Sequence, residues 1–591
     1  MAHEFWRAGA SLDEFLGDPY DPRNAISHEA MVTLDEAERF PEDACRMLDT
    51  WGLSEYYIPT FHGGRLAGHD ELLALLWAIS RRDLTVAIAH GKTFLGAVAI
   101  WVAGSSSVRE RLARIIRGGG AVALDLTERD HGSDLSANEV TAAALGDRFS
   151  VSGTKWLVNN ATRGRAITLF ARTEPRGGPR GFSLFLVDKE ALAAGSYETL
   201  PKIRTHGIRG ADISGLCFRD APVGRDSLIG DLGAGLDITI RSLQITRTLC
   251  SGLSLGAMEA AIRLVLRFAE TRRLYDTLMI ELPFVRQELV VSLVDLLGAE
   301  CLSLSATRAI HVLGRQMSVT SAVVKYLVPT IAERVVARLA VVLGARHYLR
   351  ESFAGGVFQK LLRDNALVGL FDGSTVVNLQ ALASQLPSLF SERPPHTSVS
   401  EQVCSEIGGV FSFRSPLPAF DPQTLCLTSR GRHSYLEALP GVAERIPAHG
   451  EAARARAAKA GRAIEAQVDR LGTQIRAVAG RDRGGFARST EAFGFARRYC
   501  TWYAAAACLH GWVHNGRQPH PFWVHEDWVP LWVHLALEAE TGSGFLSIEE
   551  KDEAVASLAG GLLRAYRENV ALSLFPYRLA TATAAHGQPS S

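Results

Sequence analysis

The stretch GLFDGSTVVN, Gly369 to Asn378, sets one carboxylate between bulky apolar neighbours and a Gly-Ser-Thr run. An aspartate so placed has two uses. Its side chain can accept the first free N–H groups of a following helix as an N-cap, or, held in a largely apolar site, it can take a proton from a weak carbon acid. The residues around Asp372 leave both uses open. Two other patterns look chemical. GLSLG, Gly252 to Gly256, fits the G-x-S-x-G form of serine hydrolases, which needs a strained strand-to-helix turn. It lies inside the helical run RSLQITRTLCSGLSLGAMEAAIRLVLRF, so Ser254 is expected on a helix flank and its glycines at a close helix contact. HGWVH places His510 and His514 one turn apart but lacks the acidic residue of H-E-x-x-H. Trp502, Trp512, Trp523, Trp528 and Trp532 lie nearby, so a packed aromatic surface is expected there and no metal.

The chain has 591 residues, enough for two to four units around substantial cores, and its 47% apolar and 21% charged residues are those of a soluble globular protein. The formal net charge is zero, so global charge selects no partner. The opening MAHEFWRAGASLDEF has early acidic residues and no basic head before an apolar run, so it does not read as a secretory signal and a cytoplasmic protein is expected. LTVAIAHGKTFLGAVAIWVAG is interrupted by His90 and Lys92, which predicts a buried helix rather than a membrane span. Eight cysteines without a C-x-x-C pair are expected to be buried, reduced thiols.

Apolar residues recur at helical spacing from Ala30 to about Arg117, and a helical domain is expected over 1–120. Short alternating or wholly apolar runs such as RFSVSGTKWLVNN, AITLFART and GFSLFLVD predict a β domain over 121–235. Long helical periodicity then predicts a bundle over 236–390. SERPPHTSVS marks a boundary, with 391–450 expected as linker and irregular structure and 451–591 as an appended helical domain ending in a frayed AHGQPSS. Between Glu451 and Cys500 there are 11 Lys or Arg against 5 Asp or Glu. The run EAARARAAKAGRAIEAQVDRLGTQIR in that interval raises nucleic-acid binding as a second, non-enzymatic hypothesis.

Several motifs, in this order, resemble those of the acyl-CoA dehydrogenase family. LDLTERDHGSD, Leu124 to Asp134, is similar to its flavin-binding LTEP-x-x-GSD, and GDRFSVSGTKWLVNN to the strand pair that follows it. IRGADISGLCFRDAPV, ETRRLYD, VVLGARHY and LLRDNALVGLFDGST match four further segments. The resemblance covers about residues 30 to 385. It implies a mainly α fold with a central β domain: a helical domain, a β-barrel domain and a four-helix bundle, to which this chain appends further helices.

The resemblance also implies a reaction: FAD-dependent α,β-dehydrogenation of an acyl thioester, on CoA or on an acyl-carrier protein. The variant KWLVNNATR is similar to divergent members of natural-product pathways, which keeps the carrier protein open as a substrate. The family's base, a Glu in Y-E-G-T, falls here on Asp372, one methylene shorter, and the alternative base position of some members falls on Thr246, before Arg247. Asp372 and Arg247 are thereby assigned to the substrate. Flavin contacts are carried over to Leu126, Thr127, Gly132, Ser133, Asn159, Ser374 and Gly344. Leu157, Val158 and Asn159 stand where the family places an aromatic wall, and Val341, Ala345 and Val376 replace common cofactor contacts. Arg272, with Tyr275 in place of a Phe, is implied to reach the flavin of a second subunit, hence a homodimer or homotetramer. An electron-transfer flavoprotein is the implied acceptor. The alternative is a catalytically weak flavoprotein with a binding or scaffold role.

Overall fold

The computed structural model of the protein describes residues 3–351, 353–391, 399–446, 451–481, 484–517, 522 and 527–581. The N-terminal layer is helical: α1 (Trp6–Leu16), α2 (His28–Glu36), α3 (Glu42–Trp51), α4 (His69–Arg82), α5 (Leu84–Ala103) and α6 (Ser106–Arg117). Asp83 starts α5 by accepting the Val86 N–H at 2.9 Å, and Ser105 caps α6 in the same way. Helix α5 is apolar on every side because it is packed on every side, with 17 of its 20 residues buried. Among the described residues it is one of three helical segments, with Gly235–Thr271 and Pro283–Val312, long and apolar enough to cross a membrane, and each has an apolar window at least 83% buried inside the protein.

The chain then enters a mixed eight-stranded sheet built from β1 (Val122–Asp125), β2 (Thr141–Leu145), β3 (Arg148–Asn159), β4 (Ala166–Arg172), β5 (Phe182–Asp188), β6 (Tyr197–Thr199), β7 (Ile213–Gly224) and β8 (Leu228–Ile229). The order is β6-β7-β3-β2-β4-β5-β8, with β1 parallel to β4. Phe149 and Val151 alternate with polar neighbours and join Ile167, Leu169 and Phe185 in a separate core inside the sheet. The β3–β7 register shifts between Trp156 and Val158, and Leu157 takes a left-handed φ of 58° at that bulge. The shift turns Leu157 out of the sheet and towards the helices.

The bundle consists of α7 (Gly235–Leu249), α8 (Ser251–Thr271), α9 (Pro283–Val312), α10 (Met317–Leu343), α11 (Val357–Asn365) and α12 (Thr375–Leu389), with a small hairpin, β9 (Arg273–Leu274) and β10 (Thr277–Leu278), after α8. GLSLG lies within α8. A Cβ on Gly256 would come within 2.0 Å of the Ser80 hydroxyl, so the glycine permits the close crossing of α4 and α8. Ser254 is buried in that helix with its hydroxyl unpartnered and so has no neighbouring base.

The appended part holds α13 (Glu401–Phe411), α14 (Ser434–Glu437), α15 (Glu451–Arg481), α16 (Thr490–Asn515), α17 (Trp528–Thr541) and α18 (Ile548–Arg567). The interval expected as linker is tied to the bundle: the fully buried Arg308 of α9 donates to the carbonyls of Gly409, Val410, Ser412 and Ser415. Trp502, Trp512 and Trp528 are each 1% exposed, and truncating such a ring to alanine costs about 3–5 kcal/mol. Trp523, most of SERPPHTSVS and the AHGQPSS tail lie outside the described residues. After α18 the segment from Asn569 to Ala580 returns to the N-terminal helices and the bundle, where Glu259 accepts from the Leu572 N–H, Glu300 from Ser573 Oγ and Leu574 N, and Asp13 from Ala580 N.

One expectation from the sequence, that all eight cysteines are buried, is corrected here. Cys404 is exposed and Cys217 and Cys426 are half-buried; the other five cysteines are buried, and all eight are free thiols. His510 is buried with Nε2 at 2.9 Å from the Tyr435 carbonyl, and burial pulls its imidazole down to about 3. In the basic run, Arg456 pairs with Asp527 at 2.7 Å and Lys459 with Glu550 at 2.9 Å, so part of its charge is spent within the chain.

Candidate functional site

The loop before α12 settles what Asp372 does to the helix. Ser374, not Asp372, is the N-cap: its hydroxyl accepts the Val377 N–H at 3.4 Å. Asp372 sits two residues earlier at φ 55°, a left-handed conformation that aspartate tolerates better than most residues, and Gly373 follows at φ 95°. Two side chains hold this turn through three hydrogen bonds. Arg247 Nε donates to the Asp372 carbonyl at 2.8 Å, and Asn378 Nδ2 donates to the carbonyls of Gly373 and Ser374 at 2.8 and 2.9 Å. A Cβ on Gly373 would stand 2.8 Å from Arg247 Nη2, so the glycine is required by both its φ and its neighbour.

The carboxylate itself is held from α5 and from the junction between α7 and α8. Lys92 Nζ of α5 lies 3.2 Å from Asp372 Oδ1, and the Cys250 thiol donates to Oδ2 at 3.5 Å. The Lys92 ammonium also lies 3.8 Å from the centre of the Phe371 ring, close enough for a cation–π contact. Lys325 of α10, almost fully buried, donates to the Val368 carbonyl at 2.6 Å and braces the same turn from below. Burial pulls the Lys325 ammonium and the Arg247 guanidinium below their usual ranges, against the pull of nearby Asp372. Burial, and next the negative Asp372, push the Cys250 thiol up to about 12, so it serves as a donor and not as a nucleophile.

Asp372 stands between two cavities. One, of about 290 Å³, is lined by Leu126, Thr127, Gly132, Ser133, Asn159 and Ser374, together with Lys92, Leu157, Arg247, Phe371 and Asp372. The other is a slot of about 50 Å³ lined by Tyr57, Leu72, Leu76, Ile88, Leu249 and Leu253, again with Lys92 and Asp372. The backbone N–H groups of Asp372 and Gly373 have no acceptor among the described residues. Two unengaged donors and a carboxylate at the junction of a polar-walled cavity and an apolar slot suit proton removal next to a carbonyl.

The larger cavity owes its shape to a buried pair. Glu128 accepts from Lys155 Nζ at 2.8 Å and from the N–H groups of Glu139 and Val140, while Lys155 also donates to the Leu126 carbonyl and to Asn138. Burial alone would raise Glu128, yet Lys155 and those N–H groups bring it below the usual carboxylate range. These contacts fix the loop after β1 against β3, where Trp156 N donates to the Thr127 carbonyl at 2.9 Å. The residues facing the cavity fit a planar heteroaromatic cofactor. Asn159 Oδ1 is buried and unpartnered, a Cβ on Gly132 would meet nothing within 4 Å, and Leu157 offers an aliphatic face at 44% exposure.

Of the residues singled out in the sequence, Leu126, Thr127, Gly132, Ser133, Asn159, Arg247, Asp372 and Ser374 share this cavity. Arg272, Tyr275 and Gly344 do not line it. Arg272 ends α8, Tyr275 is 92% exposed, and Gly344 ends α10 at φ 61°. Val341 and Val376, read as replaced cofactor contacts, are 69% and 61% exposed. Lys92, Cys250, Phe371 and Lys325 were not identified as site residues from the sequence. The signal for Lys92 was its interruption of an apolar helix. Among the described residues no group of three or more His, Cys, Asp or Glu is arranged to hold a metal ion.

Comparison with known proteins agrees with this layout. The acyl-CoA dehydrogenase middle domain matches residues 123–221 and the acyl-CoA dehydrogenase C-terminal domain matches residues 233–386. A probable acyl-CoA dehydrogenase, FadE25, of Mycobacterium tuberculosis is 29% identical over 273 residues, 44% of this chain and 69% of that protein. Among solved structures, an acyl-CoA dehydrogenase complexed with FAD from Bacillus anthracis superposes with a TM-score of 0.69 at 13% identity over 95% of this chain and 94% of the other. The prolyl acyl carrier protein oxidase AnaB has a TM-score of 0.57 at 19% identity, covering 63% and 96%.

Proposed function

This chain belongs to the acyl-CoA dehydrogenase family, and we propose that it oxidises the Cα–Cβ bond of a short acyl thioester with Asp372 as the base. The observation that carries the proposal is the position of Asp372, whose carboxylate borders both the larger cavity and the apolar slot. The acyl group enters the slot between Leu72, Leu76, Leu249 and Leu253. At about 50 Å³ the slot holds only a few carbons, so short acyl groups are favoured. The thioester carbonyl faces the free N–H groups of Asp372 and Gly373, which stabilise the negative charge that develops on its oxygen. Asp372 takes the α proton, and Lys92 and Cys250 hold its two oxygens while it does so.

FAD bound in the larger cavity would supply the two-electron acceptor for the hydride leaving the β carbon. Thr127, Ser133 and Asn159 would hold its polar edges, and Leu126 and Leu157 its ring face. Arg272 and Tyr275 stand apart from the cavity, so the proposal assigns them to the cofactor of a second copy and makes the working unit at least a homodimer. Both CoA and an acyl-carrier protein are proposed as thioester carriers, the latter supported by the fold shared with the carrier-protein oxidase AnaB. An electron-transfer flavoprotein is proposed as the acceptor that reoxidises the flavin.

The test is anaerobic titration of the FAD-loaded protein with butyryl-CoA and with butyryl acyl-carrier protein. Bleaching of the flavin band with enoyl thioester formation is expected in the wild type and not in Asp372→Asn. A protein that takes up no flavin, or a variant that bleaches as fast as the wild type, would refute the assignment.

A further inference from the structure

A second polar cavity, of about 430 Å³, lies between the N-terminal helices, α8 and the returning C-terminal segment. It is separate from the site of Asp372 and shares no lining residue with it. Its walls carry five arginines: Arg81 and Arg82 at the end of α4, Arg263 and Arg267 on α8, and Arg567 at the end of α18. The carboxylates in and behind the walls are Asp13, Asp18, Glu259 and Glu270, one fewer than the arginines.

The pairing inside this set is uneven. Arg81 is paired with two carboxylates, Asp13 at 2.6 Å and Glu259 at 2.8 Å, although its Nε is buried without a partner, and Arg567 is paired with Glu270 at 2.8 Å. Arg82 has only a share of Asp13, at 2.8 Å, and its Nε is buried without a partner although the residue is 6% exposed. Arg263 donates to the Val570 carbonyl at 2.9 Å and to Asn569 Oδ1 at 2.6 Å; it feels the charge of nearby Glu259 but makes no direct ion pair among the described residues. Arg267 lies 3.8 Å over the Tyr20 ring and has no ion-pair partner among the described residues. His28, 9% exposed, completes the wall with Nδ1 unpartnered.

Half-engaged guanidinium groups converging on a roomy polar cavity, with one cation in excess, match a planar or tetrahedral oxyanion, because their forked donors fit such oxygens in pairs. We propose that this cavity binds a soluble, metabolite-sized ligand through a phosphate or carboxylate head held by Arg82, Arg263 and Arg267. The C-terminal segment closes one side of the site through Asn569, Leu579, Ala580 and Thr581. A ligand there would therefore touch both the catalytic unit and the appended part.

The proposal is tested by isothermal titration of the flavin-loaded full chain with inorganic phosphate and, separately, with succinate at low ionic strength. Saturable binding of at least one probe is expected, and the preferred probe identifies the head group. Arg82→Gln and the more exposed Arg267→Gln should each weaken that binding at least tenfold. Arg267→Gln lies at the surface and should keep the wild-type melting temperature, so its loss of binding cannot be ascribed to unfolding. No saturable binding of either probe, or binding that both variants leave unchanged, would overturn the proposal. Neither readout depends on turnover, so failure here and failure of the dehydrogenase assignment are distinguishable.

Discussion

Lys92 and Asp372, 280 positions apart in the chain, form an ion pair of 3.2 Å in which both side chains are 8% exposed. A base tied to an ammonium is unusual, since the pair holds the carboxylate in place and competes with the proton it must accept. The geometry resolves this by dividing the carboxylate: Lys92 holds Oδ1 and the Cys250 thiol holds Oδ2, with the second lone pair of each oxygen left over. Lys92 is thus a positioning residue for the proposed base.

Asp372→Asn keeps the volume and removes the base, so substrate-driven flavin reduction should fall by about 10²–10⁴-fold. Flavin content should not change, because the cofactor contacts proposed above lie elsewhere. Lys92→Met should lower the reduction rate at least tenfold, about 1.4 kcal/mol of barrier, with little effect on KM. Stopped-flow reduction at saturating butyryl-CoA measures both, and a Lys92→Met protein as fast as the wild type would remove Lys92 from the site's machinery.

Gly373→Ala tests the turn. An alanine at φ 95° is strained, and its methyl would meet Arg247 Nη2 at 2.8 Å, so the Arg247–Asp372 contact must yield. A loss of about 1–2 kcal/mol of stability is expected, with a larger proportional loss of turnover because Asp372 moves with the turn. Thermal melts set beside kcat would show the two effects, and equal losses would mean that the turn matters only for folding.

The slot predicts a chain-length profile. Among straight-chain acyl-CoA substrates, kcat/KM should be highest near four carbons and fall at least tenfold by eight. Leu76 lies on α4 against the slot, and Leu76→Ala should move the optimum to longer chains at a stability cost of about 2–5 kcal/mol. An eight-carbon substrate turned over as well as the four-carbon one would show that the slot opens freely.

How much of this was readable beforehand follows from distance along the chain. Asp372, Thr127, Gly132, Ser133 and Asn159 lie in local motifs whose turn and strand chemistry is written in adjacent residues, and the fold class follows from the change of period at about residue 121. Lys92 gave only a local anomaly, a charge in an apolar helix, because its partner is contributed by another helix. The N-cap was misplaced by two residues in one of the two readings of Asp372: a Gly-Ser-Thr run offers three starts for a helix, and the left-handed turn at Asp372 and Gly373 gives the cap to Ser374. The interval 401–437 reads as irregular because its helices are short, and long-range contacts such as the carbonyl-binding Arg308 and the Gln316–Ser434 pair show that it belongs to the core. Arg272 and Tyr275 fall outside the cavity of their own chain, because the fold carries the end of α8 away from it.

Two buried acids set an expected pH dependence. Asp125 is 0% exposed with neither carboxylate oxygen partnered, and burial pushes it up to about 7 against Lys155 and Lys189. Glu300 is pushed up to about 8 by burial, although Ser573 and Leu574 donate to it. Both groups hold a proton in the folded protein that the unfolded chain releases near pH 4, so folding is favoured below that pH and the advantage is lost as pH rises through 7 and 8. Each contributes at most on the order of 4 kcal/mol to this loss. The double variant Asp125→Asn, Glu300→Gln keeps both sites neutral, and its melting temperature should exceed that of the wild type at pH 8.5 while the two converge near pH 4. Parallel melting curves across that range would mean that both acids are ionised in the folded protein and that buried cations or water carry their charge.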